Sequence, residues 1–308
     1  VRSEFHEKMF GKKITNAFEE IKDTFDSKNL LNPGKIVRPY KSDDRSLMRY
    51  KSNYKPDDIK TSYDWSEWGK FSDAIEMCNN NGACRKLDSG VMCPSYRVTK
   101  EEKDLVRGRA NTLRLALSNQ LPKDSFVSKE MYETMELCVS CKACQNECPM
   151  SVDMAKMKSE FLSHYFKKFS MSIKDRVISN MPKLIWLLRI VSPIFNKIKN
   201  YPVISGIIRK FGYATEREMP TVQNQFPLKE IYKSQIKSEN KVILFADTFN
   251  INFEIQNLMY TIKVLNKFGY EAIIPSFDND NLKRPLCCGR TYISYGQLEK
   301  AAELSLIH

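Results

Sequence analysis

Apolar residues at intervals of three and four mark most of the chain. Over residues 1–27, Phe5, Met9, Phe10, Ile14, Phe18, Ile21 and Phe25 recur at helical spacing. The run NLLNPGKIV then ends that helix with Asn-Pro-Gly turn chemistry. Residues 39–66 lose the pattern, are rich in Pro, Asp and Lys, and read as a linker. EEKDLVRGRANTLRLALS predicts a helix of about five turns, with Leu105, Leu113 and Leu117 on its apolar face. MSVDMAKMKSEFLSHYFKKF predicts another. Residues 214–240 read as loop, and the texture changes after them. KVILFAD predicts a buried strand, EIQNLMYTIKVLNKFGY an amphipathic helix capped by Gly269, and EAIIPS a second strand. A last helix is expected from about Tyr295. Strands alternating with helices argue for βαβ units and a mostly parallel sheet.

Charge changes the picture in one place. The 308 residues, room for about two or three domains, carry a net charge of +12. Residues 156–213 hold twelve Lys or Arg against Glu160 and Asp175, a net +10, in a stretch rich in Ile, Leu and Phe that includes Trp186. Two readings fit: an element lying on an anionic membrane surface, or ordinary helices with a solvated basic face. Nucleic-acid binding is set aside, because no nucleic-acid motif accompanies the charge. No run reaches the roughly 18 apolar residues of a membrane span; LIWLLRIVSPIF is interrupted by Arg189 and Pro193. The first residue is Val1, so the chain is expected to begin inside something larger, and a missing signal peptide does not locate it.

The nine cysteines carry the chemistry. LCVSCKACQNECPM places Cys138, Cys141, Cys144 and Cys148 at C-x2-C-x2-C-x3-C-P. That is the bacterial ferredoxin run, in which three cysteines hold one iron–sulfur cluster and the fourth reaches a second. Structural zinc also uses C-x2-C pairs, but usually separates them by about a dozen residues or more. Upstream, EMCNNNGACRKLDSGVMCPSY carries Cys78, Cys84 and Cys93, again ending in Cys-Pro, with Asn81 where the middle cysteine would stand. If each Cys-Pro cysteine crosses to the other cluster, Cys138, Cys141, Cys144 and Cys93 form a four-cysteine set for [4Fe–4S]. Cys78, Cys84 and Cys148 form a three-cysteine set, for [3Fe–4S] or for [4Fe–4S] with Asn81 at the open corner. Arg85, Lys86 and Lys142 flank the cysteines and could offset cluster charge or be solvated. The remaining pair is Cys287-Cys288. All nine in motifs, an odd number, argue for metal ligation in a reducing compartment rather than disulfides. His6, His164 and His308 show no ligand or catalytic spacing, and no triad, phosphate loop or Rossmann fingerprint is present.

Three stretches resemble one family. VRSEFHEKMFG…LLNPGKIV resembles the end of an FAD-linked oxidase of the vanillyl-alcohol-oxidase type. CNNNGACRK…GVMCPSY…RGRA, followed by the second cysteine run, resembles the iron–sulfur module fused behind it. LFADTFN…RPLCCGR resembles the CCG domain of glycerol-3-phosphate dehydrogenase C subunits, glycolate oxidase iron–sulfur subunits and heterodisulfide reductases. Together they are similar to large bacterial D-lactate or D-2-hydroxyglutarate dehydrogenase-like fusion proteins.

The resemblance implies a multi-domain α and α/β chain. Its expected parts are the tail of an FAD-linked oxidase C-terminal domain (1–38), a linker (39–66), a helical dicluster ferredoxin-like domain (67–165), a basic helical connector (166–240) and an incomplete α/β CCG domain (241–308). It implies that a hydroxy acid gives a hydride to FAD in an upstream domain. The clusters then accept electrons singly and pass them to a quinone or cytochrome. No catalytic or FAD-binding residue is assigned to this stretch. The alternative is a separate iron–sulfur carrier subunit that docks onto a flavoprotein. The expected location is cytoplasmic, or peripheral on the inner face of the cytoplasmic membrane. The CCG pattern is incomplete, since DTFNINFEI lacks the cysteine such domains carry upstream. Cys287 and Cys288 are therefore an incomplete metal site.

Overall fold

The computed structural model describes residues 2–44, 46, 50, 53–214, 216–224, 231, 235–275 and 287–307. Parts of the expected linker and of the 214–240 loop, with Val1 and His308, lie outside these described residues. The chain divides into two units, Val1–Pro56 and Asp57–His308.

In the first unit the predicted N-terminal helix is split at Gly11, whose φ of +78° is a left-handed value that glycine adopts readily. The halves are α1 (His6–Phe10) and α2 (Lys12–Phe25). Phe10 and Phe18 meet edge-on across the break at 6.0 Å, but Met9, Ile14, Ile21 and Phe25 stay exposed. Asp26 organises the turn after α2: its carboxylate accepts the N–H groups of Leu30 and Leu31, each at 2.8 Å, and the Lys22 ammonium. The Lys22 hydrogen bond, with those N–H groups, holds the Asp26 carboxyl down at about 2.

The second unit is built on one helical core. Its elements are α3 (Phe71–Glu76), α4 (Pro94–Thr99), α5 (Val106–Leu117), α6 (Lys129–Glu136), α7 (Ala143–Glu147) and α8 (Met154–Lys168). The apolar stripe of α5 buries Leu113 and Leu117 against Met131 and Met135 of α6 and Phe161 of α8. The helix expected from residue 101 begins only at Val106, because Leu105 is extended (φ −91°, ψ 161°) and a short 3-10 turn, Glu102–Asp104, folds back. Gly108 makes that return possible: a Cβ there would lie 2.1 Å from the Glu102 carbonyl oxygen.

Residues 57–65, expected within the linker, are anchored in this unit. Asp57 N–H donates to the Leu117 carbonyl at 2.7 Å. Glu160, fully buried on α8, accepts the N–H groups of Ser62 (2.8 Å) and Tyr63 (2.9 Å) and the Trp65 indole N–H (3.2 Å). His164 Nε2 lies 3.4 Å from the same carboxylate. Burial alone would push Glu160 up, but these donors outweigh it and its carboxyl is held below the usual value.

Beyond α8 come α9 (Ile173–Ser179), α10 (Met181–Ile198) and α11 (Pro202–Lys210). Leu187, Ile190, Ile194 and Ile198 form an exposed stripe on α10, and Val203, Ile207 and Phe211 continue it along and just past α11. Among the described residues no helix is long and apolar enough to cross a membrane.

The predicted βαβ unit is present but small. β1 (Lys241–Ile243) pairs in parallel with β2 (Glu271–Ile273), Lys241 opposite Glu271. Between them run α12 (Thr248–Asn252) and α13 (Ile255–Lys267). Ile251, Ile255, Leu258, Ile262 and Ala272 make its core. KVILFAD is not a buried strand: Ile243 is 76% and Phe245 47% exposed, because among the described residues α13 covers only one face of the pair. The chain ends in α14 (Arg290–Ser294) and α15 (Leu298–Ile307). The turn between them packs on α8, where a Cβ on Gly296 would lie 2.5 Å from the Ser163 nitrogen.

Candidate metal centre

The two cysteine runs, about fifty residues apart in sequence, fold onto one core. Cys78, Cys84, Cys93 and Cys144 are buried in it, and Cys138 and Cys148 pack against it. Glu147, the residue before Cys148, accepts the N–H groups of Val91 (2.8 Å) and Met92 (3.0 Å), just ahead of Cys93. Arg97 braces the same loop by donating to the carbonyls of Ser89 and Gly90, at 2.8 and 2.7 Å. The two Cys-Pro segments are thus clamped side by side, and Cys93 takes a left-handed backbone (φ +53°) that turns the chain into α4.

One small cavity is lined by Cys93, Cys138, Cys141 and Cys144 together, with Arg109 and Met154. Cys141 is the exposed member of the set. Burial pushes the Cys93 thiol up to about 12, against the Val106 N–H and the Arg109 charge. Burial likewise pushes the Cys144 thiol up to about 11, against the N–H groups of Met154 and Ala155. Those N–H groups belong to the first turns of α5 and α8, whose positive ends therefore face sulfur. Cys93 also feels both Cys84 and Cys144 as like-charged neighbours when ionised, which puts it between the two runs.

Cys78 and Cys84 sit together on the other side. Burial pushes Cys84 up, opposed by the Arg107 N–H and guanidinium, and the like charge that Cys78 would carry when ionised raises it further. Cys78 Sγ donates to Asn80 Oδ1 at 3.8 Å, and that oxygen also accepts Asn111 Nδ2 at 2.7 Å. Asn81 is exposed. Its amide oxygen accepts the Ala83 N–H at 2.8 Å and its Nδ2 donates to Asn79 at 2.7 Å, so in this structure it closes its own loop. Cys148 caps α7, donating its N–H to the Cys144 carbonyl.

Of the flanking charges, Lys142 lines the four-cysteine cavity. Lys142 pairs with Asp153 at 3.0 Å, and Arg85 reaches Glu102 at 3.9 Å. Arg109 instead lies 1% exposed, donating to the carbonyls of Asp104 (2.7 Å) and Thr134 (2.9 Å). Lys158 donates to the Glu136 and Cys138 carbonyls at 3.0 and 2.6 Å. Arg290 Nη2 donates to the Ser140 carbonyl at 2.7 Å, from the far end of the chain. Sequence reading missed all three. Arg109 had a signal: it interrupts the apolar series Leu105, Leu113, Leu117 at helical spacing, where a charge must find partners. Cys287, buried, and Cys288, exposed, stand apart; Cys287 packs with Tyr292 and Leu304 in a separate cluster.

Among the described residues no three His, Cys, Asp or Glu side chains converge tightly enough for a single ion. A cubane of iron and sulfide holds its thiolates farther apart than one zinc does, and a cavity ringed by four cysteines suits it. Ligation would remove the thiol protons that burial otherwise retains, and the N–H donors, Arg109 and Lys158 would offset the anionic cluster. The residues present therefore fit an iron–sulfur group.

The comparisons with known proteins agree. Residues 74–152 match the 4Fe-4S dicluster domain, and residues 1–36 match the C-terminal domain of FAD linked oxidases. The chain is FAD-linked-oxidase-like with an iron–sulfur module. It is similar to D-2-hydroxyglutarate dehydrogenases of Pseudomonas putida (26% identical) and Escherichia coli (23%), each over 90% of its length. It spans about a third of those relatives, 32% and 31%. No solved structure matches it.

Proposed function

We propose that this chain is the electron-transfer portion of a flavin-dependent 2-hydroxy-acid dehydrogenase. The observation that carries the proposal is the convergence of Cys93 with Cys138, Cys141 and Cys144 on one cavity. Those four hold a [4Fe–4S] cluster; Cys78, Cys84 and Cys148 hold a [3Fe–4S], or a [4Fe–4S] with a non-cysteine corner at Asn81. When bound, such clusters supply one-electron transfer between a flavin and a quinone or cytochrome. The chain's own residues fix that centre. Glu147 joins the two loops and Arg97 braces the first, the starts of α5 and α8 donate N–H groups to sulfur, and Arg109 and Lys158 place positive charge beside it. The flavin and the substrate site belong to the FAD domain, and D-2-hydroxyglutarate is the first candidate substrate, by the names of the relatives. The FAD-linked-oxidase match at residues 1–36 of this same chain favours a fusion over a separate carrier subunit. Cys287 and Cys288 belong to a CCG-like domain over 241–308 and are an incomplete ligand set.

The exposed stripe of α10 and α11, within a segment of net charge +10, rests on an anionic lipid surface. Anionic vesicles should bind the protein at low salt and release it at high salt; equal binding to neutral vesicles would contradict this contact.

The function is tested on the intact protein with its FAD domain. Anaerobic D-2-hydroxyglutarate should bleach the flavin and then the iron–sulfur absorbance. With Cys93→Ser the flavin should still bleach while the dye-coupled rate collapses. Clusters that stay oxidised beside a reduced flavin would overturn the reading.

A further inference from the structure

A second cavity, of about 440 Å³, opens against the same cysteine loop, and Cys138, Val139 and Ser140 form one of its walls. Its size lies in the range of sites for small organic ligands, roughly 300–1,000 Å³. The opposite walls come from elements distant in sequence: Tyr132 on α6, Phe166 on α8, Asp175 on α9, Tyr213 after α11 and Tyr295 after α14. Three of these aromatic residues share one neighbour. The phenols of Tyr132, Tyr213 and Tyr295, which line the cavity with Asp175, are each raised first by burial and then by the charge of that carboxylate. Lys158 and Lys174 also line it, their ammonium groups donating to the carbonyls of Glu136 and Cys138 and of Gly212.

We infer that this cavity binds the head group of a quinone, which is the electron acceptor of the proposed function on which the inference rests. Four aromatic side chains suit a flat ring. Phenol donors on different walls suit a ligand with carbonyl oxygens at opposite ends. One cavity wall is the loop between two of the proposed cluster cysteines, which would put a ligand beside that cluster. The approach fits as well. Gly212, Tyr213 and Ala214 line the cavity and directly follow Phe211, the last exposed residue of the α10–α11 apolar stripe. A lipid-dissolved quinone would arrive along the face proposed to rest on the membrane. The chemistry balances: a quinone becomes a quinol by taking up two electrons and two protons, and a 2-hydroxy acid releases the same number in becoming a 2-oxo acid.

The test is equilibrium binding of a water-soluble short-chain benzoquinone to the intact, oxidised, cluster-loaded protein, by calorimetry under argon. Wild type should bind it saturably. Tyr213→Ala removes an aromatic wall and should weaken binding about tenfold. Tyr295→Phe removes one donor and should weaken it roughly threefold. Tyr260→Ala, on the exposed face of α13, should change nothing. Iron and sulfide content should match wild type in all three. A photoreactive azidoquinone should label peptides containing Tyr213 or Tyr295. Normal clusters with no saturable binding, or affinity unchanged in both cavity variants, would overturn this inference alone. A wild-type protein without iron and sulfide would overturn the proposed function and this inference with it.

Discussion

The two cysteine sites share a core but not a plan. Around Cys93, Cys138, Cys141 and Cys144 the chain supplies four thiols, N–H donors from two helix starts, a buried Arg109 and a partly buried Lys158. Around Cys78 and Cys84 it supplies fewer thiols, one helix start and a partly buried Arg107 tied to Glu102 at 2.6 Å. The position where a third close cysteine would stand holds Asn81, turned toward its own loop. Ligand count and electrostatic support fall together, so the second centre should be the labile one, with an iron corner that thiolate does not hold.

Both sites lean on α5, so the largest effect should come from the residue that seats it. Gly108→Ala puts a methyl 2.1 Å from the backbone oxygen of Glu102. It should displace Arg107 and Arg109 together and abolish both clusters, measured as iron and sulfide per chain. An Ala variant with full iron would show that the return of residues 102–104 onto α5 is not needed.

Cys93→Ser separates the sites. It should cost the four-thiol cluster, about four irons, while the remaining iron keeps the spectrum of the other centre. Uniform loss from both would mean that Cys93, which neighbours both Cys84 and Cys144, bridges them structurally. Asn81→Cys acts only at the weaker site. It should replace a [3Fe–4S]-type signal by a second [4Fe–4S] and lower that site's potential, since thiolate adds negative charge; an unchanged spectrum would mean that another ligand already fills the corner.

The smallest expected effect is on stability alone. Glu160→Gln removes the charged acceptor of Ser62, Tyr63 and Trp65, with His164 Nε2 3.4 Å away, and should cost about 2–3 kcal/mol, read from denaturant unfolding. The Glu160 carboxyl is depressed in the fold, so its contribution is complete above the ordinary value near 4.5 and is lost as pH falls through the folded value. The variant should therefore lose less stability than wild type on acidification below about that pH. Parallel acid limbs would assign the acid sensitivity elsewhere.

The contrast also explains what the sequence could disclose. Cysteine spacing is chemistry written locally: three thiols at x2, x2 must converge, and the two Cys-Pro runs were readable without a fold. The clamp that joins them was not, because Glu147 reaches Val91 and Arg290 reaches Ser140 through contacts that only the tertiary structure creates. Helices were legible from their stripes, including α8 from just after the second Cys-Pro. Their interruptions at Gly11 and Leu105 were not, because each depends on backbone geometry rather than on periodicity. The burial of KVILFAD was misjudged because an apolar run does not reveal how many faces of a strand find cover. Arg109 and Glu160 were visible as charges on apolar faces, and such interruptions are worth reading as buried anchors.

The central claim is the division of seven cysteines into a complete and an incomplete set. Iron and acid-labile sulfide analysis combined with EPR of the oxidised intact protein tests it most directly. Seven or eight irons are expected, about that number following from one full and one incomplete or substituted cubane, with a [3Fe–4S]⁺-type signal beside an EPR-silent [4Fe–4S]. Zinc without sulfide, or a single cluster that survives Cys93→Ser, would contradict it.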